Sequence, residues 1–259
     1  MNYRPYQLDG DPVIQALCAE GEADPDVVGV VLTGSRALGM VTDESDYDAA
    51  FIVTDAAIAR YDQTHHPVRG QALSPPTTHA DLWHEGESSL RSDHMPAWAF
   101  QMWSDARVIY DRTGETTAAI DALRRIPEPQ ASDTIAGLYD AYLNGLYRSL
   151  KSWRRGDDLG GRVGAADSVE ILLGLLFALE RRWRPFSSRL WLHLERLAGQ
   201  GWQPGEVRAI LFDLLATGDP RRQQAVARRV EALLRARGYG AVYDDWEGEI
   251  DEVLAWEFD

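Results

Sequence analysis

Cysteine is almost missing from this sequence. Cys18 stands alone among 259 residues, which excludes an internal disulfide and any cysteine-based zinc site. Positive charge is scarce too: Lys and Arg number 26 against 41 Asp and Glu, giving a formal net charge of -15 and an isoelectric point near 4.8. Such a surface repels a phosphate backbone, so template or tRNA binding is not expected, although a local basic patch is still allowed. No apolar run reaches membrane-spanning length and the N-terminus carries no signal-peptide pattern. The expectation is a cytoplasmic protein that does not engage a membrane. No repeat or low-complexity tract stands out, and Gly160-Gly161-Arg162-Val163-Gly164 follows no strand, which sets aside a dinucleotide-binding loop.

What is present centres on residues 27–54. Val27, Val28, Val30, Val31 and Leu32 form a β-branched run too short for a helix, stopped by Thr33-Gly34-Ser35; this is the pattern of a buried strand entering a turn. Gly34 allows backbone to approach a bulky anion, and the Ser35 hydroxyl with the first N–H groups of a following helix can bind phosphate oxygens. A second strand starts at Asp46-Tyr47-Asp48 and continues as Ala49-Ala50-Phe51-Ile52-Val53. Side chains alternate across a strand, so Asp46 and Asp48 share a side. Two adjacent carboxylates repel unless a hard cation lies between them, and Mg²⁺ takes one or two carboxylates plus phosphate oxygens. A metal-bound nucleoside triphosphate over the Gly-Ser turn follows from that geometry. The other reading makes Asp46 and Asp48 turn or strand-edge residues on a solvated face; against it, Asp is depleted in strands and here opens the most apolar one in the chain.

Gly34-Ser35, about ten residues, then Asp46-Tyr47-Asp48 and an apolar run resembles the signature of the DNA polymerase beta-like nucleotidyltransferase superfamily, most of all the small aminoglycoside-type nucleotidyltransferases. The resemblance implies an α+β fold, with an N-terminal mixed-sheet nucleotidyltransferase domain over residues 1–126 and a C-terminal helical, substrate-binding domain over 130–259. It implies Gly34, Ser35 and Arg36 at the nucleotide, Asp46 and Asp48 on one or two Mg²⁺, and a third acid on a later strand. Asp81, in Thr77-Thr78-His79-Ala80-Asp81-Leu82-Trp83-His84-Glu85, is the choice for that third metal ligand; Glu85, at the strand's end, is its rival.

The remaining segments frame this stretch. Asp11-Pro12 is a cap and first-turn pair for a helix carrying Val13, Ile14, Leu17 and Cys18. Residues 55–61 read as a short helix. His65-His66 has no third ligand at metal spacing and reads as a loop. Met95 to Trp103 reads as a helix and Ala106 to Tyr110 as a closing strand, with Asp111 as a cap. Ile126-Pro127-Glu128-Pro129 marks the domain boundary, and the chain beyond it is helical. Ile135, Leu138, Tyr142, Leu146, Leu150 and Trp153 make one apolar stripe. At its end, Lys151 and Arg155 either complement the helix dipole or reach a triphosphate.

A helix over Val163 to Trp183 is apolar in its middle and contains Glu170, with Asp167 one turn earlier. An acid among such neighbours either pairs with a cation, Arg148 or Arg155 being at hand, or does chemistry. By resemblance Glu170 takes the acceptor's proton, with Asp167 as substitute. Pro185 can start the next helix, and Arg189 beyond it is a phosphate ligand by resemblance or a surface charge. The implied reaction moves a nucleoside monophosphate from an NTP, ATP by expectation, to a hydroxyl of a small molecule, a cationic one such as an aminoglycoside suiting the acidic surface. Two alternatives stay open: transfer to protein or RNA, and a non-catalytic nucleotide-binding regulator. Oligomeric state is left open by the sequence.

Overall fold

The computed structural model describes residues 3–61, 68–69, 80–92, 94–195, 197 and 201–258. The chain is α+β and divides into two compact units, Met1–Arg125 and Ile126–Asp259.

The first unit is built on a mixed sheet. In chain order it comprises β1 (Arg4–Pro5), α1 (Pro12–Ala23), β2 (Val27–Leu32), α2 (Gly34–Ala37), β3 (Met40–Val41), β4 (Tyr47–Val53), β5 (Val68–Arg69), β6 (Ala80–Gly86), α3 (Ala97–Ser104), β7 (Arg107–Asp111) and α4 (Glu115–Leu123). Five strands lie in the order β5-β6-β4-β2-β7, with β4 and β6 parallel and the other neighbours antiparallel. β1 and β3 form a separate antiparallel pair. The sheet is apolar on both faces because helices cover both. Ala49, Phe51 and Val53 of β4 cluster with Val13, Ile14 and Leu17 of α1, whereas Ala50 and Ile52 cluster with Trp103 of α3 and Ile120 of α4. Asp11 caps α1 by accepting from the Val13 and Ile14 N–H groups at 2.8 and 3.2 Å. Asp111 likewise caps the start of α4, accepting from the N–H groups of Gly114 and Thr117 at 2.8 and 2.7 Å. The expected short helix over 55–61 is only a 3-10 turn at Ile58–Arg60. His65, His66 and residues 77–79 lie outside the described residues.

The second unit is helical: α5 (Glu128–Arg154), α6 (Asp158–Ala178), α7 (Leu190–Leu194), α8 (Pro204–Thr217), α9 (Pro220–Ala236), α10 (Gly240–Asp244) and α11 (Glu249–Ala255). One apolar core joins them, including Tyr142, Leu146 and Leu150 of α5, Leu172 and Leu176 of α6, Val230 and Leu234 of α9, and Val253 of α11. α6 begins five residues before the expected start because Asp157 caps it, accepting from the Gly160 N–H at 2.9 Å. Glycines inside its first turns are tolerated because α5 passes too close for a side chain. A Cβ at Gly161 would meet the Trp153 ring at 2.5 Å, and one at Gly164 would meet the Ser149 Cα at 3.1 Å. Pro185 does not open the next helix: Phe186 is extended at φ -56°, ψ 143°, and a 3-10 turn at Ser187–Arg189 leads into α7. Among the described residues no helix is long and apolar enough to cross a membrane.

Candidate metal and nucleotide site

β2 ends at Leu32, Thr33 is extended, and Gly34 turns the chain at φ +74° into the single turn of α2. The left-handed value is open to glycine at no steric cost. The turn is tied to the neighbouring strand, since the Thr33 N–H donates to the Asp48 carbonyl at 2.8 Å. It is also pressed against that residue's side chain: a Cβ built on Gly34 would lie 2.2 Å from Asp48 Oδ2 and 3.2 Å from its Cγ. Glycine here therefore leaves room for the carboxylate as well as for the turn.

Asp48 stands directly opposite Asp81 in the parallel pairing of β4 and β6. In-register residues of parallel strands project to the same face, and Asp46, two residues before Asp48, joins them. Each of Asp46, Asp48 and Asp81 offers one carboxylate oxygen within 4.8 Å of the others, and all three are half-buried. Two ionised carboxylates at that range repel by roughly 3 kcal/mol at an effective dielectric near 20; a divalent cation among them reverses the sign. An all-oxygen, all-anionic donor set is what Mg²⁺ or Mn²⁺ takes, so these residues fit such a cation. Glu85 stands opposite Ile52, four residues further along β6 than Asp81, and accepts from the Ser89 hydroxyl at 3.1 Å.

Ser35 occupies the first turn of α2, half-buried, where N–H groups lack a preceding turn of carbonyls. Arg36 is engaged in the loop that carries the acids: Nε donates to the Asp46 carbonyl at 2.8 Å and Nη2 to the Ser45 carbonyl at 2.9 Å. Two of its three guanidinium nitrogens thus serve main chain.

Glu170 and Arg189 belong to the second unit. Glu170 sits on an exposed side of α6, its side chain 70% accessible, 3.4 Å from the Arg184 guanidinium. The apolar residues around it in sequence pack on other sides of the helix, so the expected burial does not occur, and the cation beside it is Arg184 rather than Arg148 or Arg155. Asp167 is exposed as well. Arg189 is half-buried with its guanidinium 5.9 Å from the Phe186 ring. Lys151 accompanies Tyr147, donating to its hydroxyl at 3.2 Å. Tyr6, Asp11 and Tyr47, which the sequence did not flag for the site, gather around Arg36 behind the acids; Asp11 was visible only as a helix cap, and nothing local marks Tyr6.

Residues 94–192 match a domain of unknown function (DUF4037). The match covers less than half of the chain and begins beyond the three aspartates. No curated protein matches. Among solved structures the chain is similar to a nucleotidyltransferase-like protein from Exiguobacterium sibiricum, at 17% identity and a TM-score of 0.48, over 89% of this chain and 77% of that one. A likeness of that size assigns neither ligand nor activity, and the functional reading rests on the side chains of the site.

Proposed function

We propose that the protein is a Mg²⁺-dependent nucleotidyltransferase that moves a nucleoside monophosphate from an NTP, ATP in the first instance, to a hydroxyl of a small molecule. The observation that carries the reading is the convergence of Asp46, Asp48 and Asp81 within 4.8 Å, beside a Gly-Ser turn. Asp46, Asp48 and Asp81 would hold one or two divalent cations. Once bound, these would screen the phosphate charge and lower the pKa of an attacking hydroxyl.

The chain's own part is to place the reacting groups. Gly34 leaves space for the Asp48 carboxylate, and the Ser35 hydroxyl with the N–H groups of α2 would orient the outer phosphates. The acceptor oxygen attacks the α-phosphorus while the α–β anhydride bond breaks. Pyrophosphate departs with the bonding pair, and the hydroxyl proton passes to a carboxylate or water. Glu170 as the receiving base and Arg189 as a phosphate ligand are tested by Glu170→Gln and Arg189→Met in the same reaction. The acidic surface, with a net charge of -15, favours a cationic acceptor over a nucleic acid.

The test is pyrophosphate release from each NTP with Mg²⁺ across aminoglycosides, lincosamides and simple polyols. Release that requires an acceptor and disappears in Asp48→Asn, with the fold intact by circular dichroism, supports the reading. Turnover unchanged in Asp48→Asn refutes the metal role. Silence of the wild type across the panel, with nucleotide still bound, points to a protein acceptor or a non-catalytic binder.

A further inference from the structure

The segment that delivers Asp46 is held from behind by side chains remote in sequence. The Arg36 guanidinium donates to the carbonyls of Ser45 and Asp46, and its carbon lies 3.7 Å from the centre of the Tyr47 ring and 4.8 Å from that of Tyr6. Both tyrosine hydroxyls donate to the same oxygen, Asp11 Oδ2, at 2.7 and 2.8 Å. The other oxygen, Oδ1, caps α1. On the far side, the loop closes on itself: the Thr42 N–H donates to the Ser45 hydroxyl at 2.8 Å and the Ser45 N–H to the Thr42 carbonyl at 3.2 Å. Tyr47 separates Asp46 from Asp48 in sequence, so a ring anchored on the α1 side of the strand turns both aspartates to the opposite side.

We infer that Arg36 is a positioning residue for the metal ligands: it fixes the main chain at Ser45 and Asp46, through the Tyr6-Asp11-Tyr47 bracket, so that Asp46 stands level with Asp48 and Asp81. The inference rests on the metal reading of those three aspartates and departs from the expectation that Arg36 binds phosphate. The two roles separate chemically. A phosphate ligand needs a positive charge, which lysine also provides, whereas two donors at fixed spacing on adjacent carbonyls, lying against aromatic rings, are a guanidinium property.

The experiment compares the wild type with Arg36→Lys, Arg36→Met and the milder Tyr47→Phe. Mn²⁺ binding is measured by calorimetry without nucleotide, and amide hydrogen exchange over residues 42–48 is followed in parallel. Removing an outer partner of a metal ligand weakens metal binding by about 10–100-fold. The expected result is a loss in that range for both Arg36 variants, lysine included, a smaller loss for Tyr47→Phe, and faster exchange at 45–47 in all three. Wild-type Mn²⁺ affinity in Arg36→Lys, with unchanged exchange, overturns the inference and returns Arg36 to phosphate. Should the wild type bind no Mn²⁺, the proposed function falls, and exchange over 45–47 alone decides whether Arg36 holds this segment.

Discussion

Gly34→Ala is the sharpest perturbation of the site, because two separable costs meet at one atom. At φ +74° an alanine pays the left-handed penalty of roughly 1–2 kcal/mol. Its methyl carbon would also lie 2.2 Å from Asp48 Oδ2, about 1 Å inside contact distance, so the carboxylate must leave the position it holds near Asp46 and Asp81. Gly39 supplies the control. It has φ +75°, but a Cβ there meets nothing closer than the Tyr6 carbonyl at 3.5 Å. Gly39→Ala should therefore lose about 1–2 kcal/mol in urea unfolding and keep its Mn²⁺ affinity. Gly34→Ala should lose at least as much stability and, in addition, Mn²⁺ binding, with turnover down about 100-fold, as expected for a displacement near 1 Å at a reacting centre. Calorimetry with Mn²⁺ on both variants is the assay. A Gly34→Ala protein that binds Mn²⁺ like Gly39→Ala would refute the idea that this glycine keeps space for a metal ligand.

Three further outcomes are expected. The Tyr139 hydroxyl is fully buried in the second unit without a hydrogen-bond partner among the described residues, and burial pushes its pKa up; Tyr139→Phe should raise stability by about 1 kcal/mol in urea titration, and a loss of that size would reveal a hidden partner. Arg112 donates to the carbonyls of Val27, Gly21, Glu22 and Asp24 at 2.9–3.1 Å, binding the end of α1 to the sheet, so Arg112→Met should cost about 2–3 kcal/mol; a change under 0.5 kcal/mol would contradict this. His84 stacks on Tyr61 at 4.3 Å, and burial holds its pKa below the ordinary 6.5, opposed by the Asp24 charge. The unfolded chain then binds the proton more readily, so the contribution of His84 is full above pH 6.5 and falls as pH drops through that value toward the lower folded pKa. His84→Phe should flatten the stability profile between pH 7 and 5, and an unchanged slope would count against the buried neutral imidazole.

The features that depend on neighbours within a few residues were written in the sequence. The β-branched run at 27–32, the Gly-Ser turn, the shared side of Asp46 and Asp48, and the Asp11 and Asp111 caps are set by backbone alternation and turn chemistry. The change to helices beyond Pro127 is equally local, because it rests on the spacing of apolar side chains along α5 and α6. Tertiary structure decided the rest. Asp81 enters the site because β6 pairs with β4 in one parallel register, and a slip of one residue would turn it to the other face. Arg36 belongs behind the acids because Tyr6 and Tyr47 converge on Asp11, a meeting that no local spacing records. Glu170 shows the opposite case: its apolar neighbours in sequence suggested burial, but a helix has several sides, and the packing of α5 and α8 against α6 left this one in water.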